Sequence, residues 1–334
     1  MHDILNWLEE TADPQLYDSA SFIYEDMASQ SGESLPLIYQ PFDVSRQAHW
    51  RDRGAALDYL LSTRARGQRV LDFGPGDGWP SLIVAPQVAS VTGVDASPRR
   101  VQVCTSNAAR LEIDNATFLA VPPGQPLPFA AGSFDAAVAA SSVEQTPDPY
   151  QTLAELYRVL RPGGRLRLSY EALSRYRGGE ETAVWLFGID EQTSRLILYD
   201  RQIEQERVVQ YGLTFHLSAA DLGRQLTAAT ELTVSDITPA TLKPLAGALL
   251  DVRKCVTGHP SGPTLATWLA QIGFSQVRPT HNGLEAAAIL FEQTPANERP
   301  QTVTAVDTYL EPFVKMVIGL AAPLEMDPMI TAVK

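Results

Sequence analysis

The sequence contains 334 residues, of which 45% are hydrophobic and 19% are charged, enough for one fold with large additions or for two domains. Acidic residues (39 Asp and Glu) outnumber basic ones (26 Lys and Arg), which gives a formal net charge of −13 at pH 7. Because this charge repels phosphate backbones and no basic tract offsets it, the composition argues against DNA or RNA as a partner.

The sequence lacks the features typical of membrane proteins, secreted proteins and metal-binding proteins. No run approaches 18 uninterrupted apolar residues, and the first residues lack the basic start and apolar run of a signal peptide. Cys104 and Cys255 lie far apart without metal-ligand spacing. A disulfide between them stays open, although two buried thiols in a reducing cytoplasm fit better. We therefore expect a cytoplasmic protein with no membrane span and no metal site.

The N-terminal region, about residues 1–62, is predicted to be mostly helical. Apolar residues recur at helical spacing in the segments 4–8 and 55–61. The segment 35–42 between them contains two prolines and cannot continue a single helix.

The segment 69–78 predicts a buried strand over residues 69–73, which runs into a glycine-rich turn and then a helix. Gly74, Gly76 and Gly78 permit positive φ and let a ligand approach where a Cβ would clash. The helix that follows offers unpaired N–H groups at its first turn. The dinucleotide fingerprint G-x-G-x-x-G is not met, because Trp79 stands at the position of its last glycine.

Strands and helices then alternate to about residue 172, which predicts a parallel sheet with right-handed crossovers. The second strand ends in an acid, Asp95, 23 residues after Asp72 on the first strand. The predicted elements are strand 91–95, the apolar strand 136–140, helix 149–160 and strand 165–170.

These features, in this order and at this spacing, resemble the class I S-adenosylmethionine (SAM)-dependent methyltransferases of the small-molecule type. The resemblance covers about residues 66–171 and includes the G-x-G-x-G turn after an acid and the sequence RVLRPGGRL before the fifth strand. It implies an α/β fold with a Rossmann-like doubly wound sheet, N-terminal helices and an inserted antiparallel β/α subdomain. It also implies SAM as cofactor, S-adenosylhomocysteine as product, and methyl transfer to a small-molecule acceptor.

The resemblance also assigns residues to the cofactor. In the family, a carboxylate at the position of Asp95 accepts both ribose hydroxyls, and an acid at the position of Asp72 contacts the loop and the methionine amino group, directly or through water. A role for Asp72 as a turn cap is the alternative, and for Asp77 we favour an N-cap of the helix opened by Trp79-Pro80. The cofactor-binding residues implied are Asp72, Gly74, Pro75, Gly76, Gly78, Asp95, Ala96 and Ser141.

Two parts of the site are not specified by the motifs. The segment 118–126 contains no acid for the adenine amino group, so the backbone or Gln125 must contact adenine, or the contact is absent. Methyl transfer needs a base only if the acceptor arrives protonated. The candidates are Glu144, with a solvated loop acid as the alternative, and His216, with a surface histidine as the alternative.

After about residue 172 the sequence predicts an antiparallel meander of aromatic and β-branched strands, inserted into the core. By resemblance, the core then resumes and closes with an antiparallel hairpin. The predicted elements are strands 182–189, 194–199 and 206–215, helices 218–229, 239–252 and 263–272, strands 273–277 and 286–292, and helix 303–320.

The predicted domains are an N-terminal helical cap (1–62), a SAM-binding core (63–173), an inserted substrate or oligomerisation subdomain (174–257), and the end of the core sheet with a C-terminal helix (258–334). The insert leaves the core at the carboxyl edge of the sheet, where open α/β sheets bind ligands. We expect it to form a wall of the substrate site. Packing on a second subunit in a homodimer is the alternative.

Two other functions stay open at this point. One is a non-catalytic SAM-binding protein that uses its insert for assembly, which the missing adenine acid favours. The other is an aminopropyl transferase, for which the expected acid-rich substrate signature is not evident.

The acidic charge predicts that neither DNA nor RNA binds detectably at physiological salt, because no basic face is available to neutralise phosphates. A gel-shift assay with duplex DNA and single-stranded RNA tests this. Tight binding that weakens as salt is added would contradict the prediction.

Overall fold

The computed structural model describes residues 2–11, 14–16, 42–175, 180–326 and 328–334. The predicted link at 35–42 lies outside these ranges except for its last residue. The chain divides into two compact units. The core unit comprises 30–144, 148–171 and 262–334, and the inserted unit comprises 1–29, 145–147 and 172–261, each as far as it is described.

The core unit is built on a seven-stranded sheet in the order β11-β12-β6-β5-β2-β3-β4. Its strands β2 to β6 are parallel, and β12 runs antiparallel to both β6 and β11. The strands are β2 (Arg69–Phe73), β3 (Ser90–Asp95), β4 (Ala116–Ala120), β5 (Phe134–Ala140), β6 (Leu160–Ser169), β11 (Ser275–Thr280) and β12 (Met329–Val333). The predicted Rossmann-like sheet is therefore confirmed.

Helices accompany this sheet in the core unit. They are α2 (Gln47–Thr63), α3 (Ser81–Val84), α4 (Pro98–Arg110), α5 (Pro149–Val159), α8 (Gly262–Ile272), α9 (Gly283–Gln293) and α10 (Val303–Val317). Helices α2 and α9 pack unusually closely, because a Cβ on Gly54 would lie 2.3 Å from the Gly283 carbonyl oxygen and 2.5 Å from the Ala287 Cβ. Both glycines are therefore required for this packing.

The inserted unit has a five-stranded sheet in the order β1-β10-β9-β8-β7, antiparallel except for β1 against β10. The side chains of Ile4 and Leu8 from helix α1 are buried in the apolar cluster of this unit. The elements are α1 (His2–Thr11), β1 (Gln15–Leu16), β7 (Thr182–Gly188), β8 (Ser194–Gln202), β9 (Arg207–Phe215), α6 (Ala219–Leu226), α7 (Pro239–Leu242) and β10 (Leu249–Gly258).

Three predictions differ from the structure. The helix predicted at 239–252 is wrong beyond Leu242, since Pro244 and Gly247 favour a 3₁₀ segment to Ala248, after which β10 pairs with β9. The strand predicted at 286–292 is wrong, because this alanine-rich stretch forms α9, capped by Asn282. The sheet closes with β12 instead. The predicted 1–62 cap also differs from the observed grouping, which separates α1 and β1 from α2.

The cysteines and the apolar content of the helices were also considered in the sequence. Cys104 and Cys255 are both buried free thiols, as the sequence favoured. Within the described ranges, no helix is long and apolar enough to cross a membrane.

A buried ion pair joins the middle of the core sheet to helix α2. The guanidinium of Arg167 on β6 donates from Nε to Asp58 Oδ1 at 2.8 Å and from a terminal nitrogen to Asp58 Oδ2 at 2.9 Å, and both side chains are fully buried. Arg167 also donates to the hydroxyls of Thr280 and Thr331, at 2.8 and 3.0 Å. Asp58 accepts the Gly283 backbone N–H at 2.7 Å, so all the polar atoms of this cluster have partners.

Replacing Asp58 by Asn should destabilise the protein strongly, because Arg167 would stay charged and buried without its counter-ion. Loss of one partner of a buried pair costs about 3–5 kcal/mol. The matched control is Arg66→Gln, which removes the exposed pair with Glu311 and should cost about 1 kcal/mol or less. Urea unfolding followed by circular dichroism tests this. Equal costs for the two variants would contradict the prediction.

Candidate functional site

The carboxyl edge of the core sheet has a topological switch point between β2 and β5. From β2 the chain proceeds outward through β3 to β4, and then returns to the other side of β2 to form β5 and β6. In open α/β sheets, ligands bind outside the strand ends at such a point. The loops that follow Phe73, Asp95 and Ala140 meet at this edge, and they contain most of the residues implied by the sequence motifs.

The three glycines after β2 have positive φ, of 74° at Gly74, 58° at Gly76 and 109° at Gly78. A Cβ on Gly74 would lie 2.4 Å from the Ser142 Cβ, and one on Gly78 would lie 2.6 Å from the Leu82 Cδ1. A Cβ on Gly76 would meet no atom within 4 Å. Gly74 and Gly78 are thus needed for internal packing, whereas Gly76 is the glycine beside open space.

Asp95, at the end of β3, is held beside this loop. Its Oδ2 accepts the Gly76 N–H at 3.2 Å and its Oδ1 accepts the Ser97 N–H at 2.9 Å. Burial raises its pKa, which these two hydrogen bonds partly oppose. Each carboxylate oxygen can accept a further hydrogen bond, so the residue suits a ligand with two hydroxyl donors. Ala96 follows it directly, and Ser97 caps helix α4.

Asp72, on β2, is fully buried and caps the start of helix α3. Its Oδ2 accepts the Ser81 N–H at 3.1 Å and the Ser81 hydroxyl at 2.5 Å. Its Oδ1 is also buried and has no hydrogen-bond partner. Burial raises the pKa of Asp72 to about 7. The capping alternative is therefore observed, and an acceptor oxygen remains that could receive a donor such as an ammonium group.

The predicted N-cap role of Asp77 is wrong. Helix α3 begins at Ser81, after Pro80, and the side chain that accepts its first N–H is Asp72. Asp77 instead forms an ion pair with Arg100 of α4. The loop extends further beyond Asp77 than the sequence suggested, which separates this side chain from the helix.

Glu144 lies in a 3₁₀ turn, Val143–Gln145, and is only 1% exposed. The alternative of a solvated loop acid is therefore wrong. Its Oε1 accepts the Glu171 N–H at 3.0 Å, and its Oε2 is buried without a partner. Burial raises its pKa to about 7. Its observed contact joins the loop after β5 to the end of β6.

The remaining predicted residues occupy varied positions. Ser141 follows β5 with a φ of 48°, and its N–H donates to the Ser169 carbonyl at 3.0 Å. Gln125 is exposed beyond β4. His216 is exposed at the end of β9 in the inserted unit, as the surface alternative held. In the ranges that are described, no cluster of His, Cys, Asp and Glu side chains suits a metal ion.

The sequence motifs missed two residues near the glycine loop. Ser142 contacts Gly74, and its hydroxyl donates to the Phe73 carbonyl at 2.6 Å. Trp79, directly after the loop, packs its ring edge-on to Tyr59 of α2, with ring centroids 6.0 Å apart. The contact between Ser142 and Gly74 could have been expected from the two serines that follow β5. The contact between Trp79 and Tyr59 depends on how α2 packs, which the sequence does not show.

The sequence of this chain is similar to those of known methyltransferases. Residues 71–168 match a family model described as a methyltransferase domain. The chain is 32% identical over 132 residues to 27-O-demethylrifamycin SV methyltransferase of Amycolatopsis mediterranei, covering 36% of this chain and 48% of that protein. The region 71–168 therefore resembles the methyltransferase domain of class I SAM-dependent methyltransferases.

Other proteins similar to this chain are also named as methyltransferases. Demethylmenaquinone methyltransferase of Tropheryma whipplei is 36% identical over 121 residues, covering 36% of this chain and 47% of that protein. A solved SAM-dependent methyltransferase from Clostridium acetobutylicum is 11% identical with a TM-score of 0.46, covering 89% of this chain and 93% of that one. The chain spans about half the length of the curated relatives it matches.

The raised pKa of Glu144 predicts a pH-dependent stability that Glu144→Gln should reduce. The folded state holds a proton up to about pH 7 that the unfolded state releases near 4.5. Stability from this group is therefore fully present below about pH 4.5 and is lost as the pH rises through 7. The gain in melting temperature of the wild type between pH 8 and pH 5.5 should be smaller in Glu144→Gln.

The control for this experiment is Glu155→Gln. Hydrogen bonding to Arg158 lowers the pKa of Glu155, so its contribution is present above its ordinary pKa and persists across this pH range. This variant should lose stability at both pH values. Thermal unfolding measured at pH 5.5 and 8 tests the pair, and an unchanged pH dependence in Glu144→Gln would contradict the assignment.

Proposed function

We propose that this protein transfers a methyl group from SAM to a small-molecule acceptor. The observation that carries the proposal is the pairing of Gly76 with Asp95. The loop backbone is open to a ligand at Gly76, and the adjacent carboxylate keeps acceptor positions for two hydroxyls. A cofactor with a ribose and a charged amino acid end fits this arrangement together with the free Oδ1 of Asp72.

Each cofactor-binding residue has a distinct part in this proposal. Asp95 would accept the ribose hydroxyls, and Asp72 Oδ1 would receive the amino group, directly or through water. Gly76 would let the ligand approach the loop, while Pro75, Ala96 and Ser141 would line the site. For adenine, the candidates are the backbone near the end of β4 and the exposed Gln125.

SAM, when bound, supplies a methyl group on a positively charged sulfur, which is already an activated leaving group. The residues of this chain therefore need mainly to hold the acceptor atom in line with that methyl group. Glu144 is buried and accepts a hydrogen bond from the Glu171 backbone N–H, so we give it no role in activating the acceptor. We assign no catalytic base.

The small-molecule class is supported by charge and by the relatives. The net charge of −13 disfavours nucleic acids. The names of similar methyltransferases refer to a rifamycin derivative, demethylmenaquinone and arsenite. These three compounds define the first acceptors to try, and they differ in whether oxygen, carbon or arsenic would receive the methyl group.

Calorimetry tests cofactor binding. S-adenosylhomocysteine should bind and NAD should not. Asp95→Ala should weaken S-adenosylhomocysteine binding by at least about tenfold, because hydrogen bonds to a charged acceptor are each worth about 1.5–3 kcal/mol. Asp114→Ala, which removes an exposed acid before β4, is the control and should bind normally. An unchanged affinity in folded Asp95→Ala would refute the ribose assignment.

Activity is tested by incubating the protein with SAM and each acceptor, with a metabolite extract as a fourth sample. Release of S-adenosylhomocysteine in step with a methylated product would support the proposed methyltransferase activity. Cofactor binding without release in any sample would favour the non-catalytic SAM-binding alternative.

A further inference from the structure

Asp52 of helix α2 is a carboxyl group beside the glycine loop that the sequence motifs did not identify. Positions 52, 56 and 59 share one face of the helix at i, i+4 and i+7 spacing. Ala56 and Tyr59 on this face belong to the apolar cluster that Trp79 packs against. The indole N–H of Trp79 forms no hydrogen bond but lies close enough to the Asp52 carboxylate to lower its pKa. Asp52 thus lies next to the residue that follows Gly78.

Asp52 has no ion-pair partner in the described part of the chain. The two basic neighbours on its own helix are Arg51, which is exposed, and Arg53. The Arg53 guanidinium is committed to Asp307 of α10, with Nε 2.8 Å from Oδ1 and a terminal nitrogen 2.5 Å from Oδ2. Asp52 is partly buried, and this burial raises its pKa to about 6. The charges of Arg51 and Arg53 lower the pKa of Asp52, but they oppose the effect of burial only in part.

The other carboxyl groups of the site share this property. The pKa values of Asp72, Asp95 and Glu144 are all raised, chiefly by burial. None of the three forms an ion pair among the residues that the structure describes, and the nearby Arg100 is paired with Asp77. At pH 7.5, above the raised pKa values of Asp52, Asp72 and Glu144, these carboxyl groups are mainly ionised, and their combined charge favours a positively charged ligand.

SAM and S-adenosylhomocysteine differ by one positive charge, which the sulfonium carries and the product thioether lacks. We propose that Asp52, together with the Trp79 ring, gives the site a charge-based preference for SAM over S-adenosylhomocysteine. This inference rests on the proposed function and adds to it a means of exchanging product for fresh cofactor. An aromatic ring and a carboxylate together form a favourable environment for a cation.

Asp52 is better suited to this role than the other three acids. In the proposed function the free oxygen of Asp72 receives the amino group, which SAM and S-adenosylhomocysteine share, and Glu144 is 1% exposed. Asp95 holds Gly76 and Ser97 with one hydrogen bond from each. Asp52 is partly accessible, as Asp95 is, but unlike Asp95 it accepts no complete hydrogen bond from a described residue.

The experiment measures dissociation constants by calorimetry at pH 7.5 for SAM, S-adenosylhomocysteine and sinefungin, an analogue with an amine near the sulfonium position. Asp52→Asn should weaken SAM and sinefungin by about fivefold or more, as expected for removing a nearby charge at intermediate dielectric. Binding of S-adenosylhomocysteine should change less than about twofold. Asp52→Glu, which keeps the charge, should retain the preference.

Two controls separate this role from a structural one. Asp95→Asn should weaken all three ligands alike, and Asp114→Asn should leave all three unchanged. Asp52→Ser serves as a second neutral variant if Asp52→Asn does not fold. A preference for SAM that persists in a folded neutral variant overturns the inference while the proposed function stands. Failure of all three ligands to bind the wild type overturns both.

Discussion

The ion pair between Arg167 and Asp58 is the interaction on which the arrangement of the core unit depends. A fully buried arginine in the middle of a sheet must satisfy all of its donors, and here its partners come from one helix, two strands and the loop after β11. The pair therefore fixes α2 against β6 while Thr280 and Thr331 bring in β11 and β12. Because Asp58 also accepts the Gly283 N–H, the start of α9 is positioned by the same carboxylate. One polar cluster thus sets the register of a helix, a hairpin and a second helix.

The position of α2 has consequences at the carboxyl edge. With Asp58 held on the sheet, Tyr59 is directed toward Ser169 at the end of β6, with the two hydroxyls 3.3 Å apart, and toward Trp79 after the glycine loop. The loop is in turn held by Asp72, which caps α3 through Ser81, and by Asp95, which accepts the Gly76 N–H. Burying these carboxyl groups disfavours their charged forms, as the raised pKa values of Asp72 and Asp95 show. Such a cost to stability is typical of sites organised for binding.

Much of the fold and of the loop could be predicted from the sequence, because the information is local. The strand at 69–73 has the predicted bounds, and the three glycines have positive φ. The wrong predictions of secondary structure lie in segments whose conformation depends on tertiary contacts. The segment 249–258 becomes a strand because β9 offers a pairing edge, and 283–293 becomes a helix because Asn282 caps it against α2. Likewise, Asp77 and Asp72 are both plausible caps in the sequence, and only the length of the loop separates them.

Asp52 shows that residues of the candidate site can also be missed when their role depends on tertiary contacts. Nothing in the sequence around Asp52 distinguishes it from a solvated helix acid, since its neighbours Arg51 and Arg53 suggest ordinary surface pairs. Its significance appears only when Arg53 is found paired with Asp307, so that Asp52 forms no ion pair within the described part of the chain. Placing such a charge on α2, a helix held by a buried ion pair, fixes its position more firmly than a loop would. The buried pair of Asp58 and Arg167 fixes α2 on the sheet. In our proposal, it thereby also fixes the position of the Asp52 carboxylate that recognises the charge of the ligand.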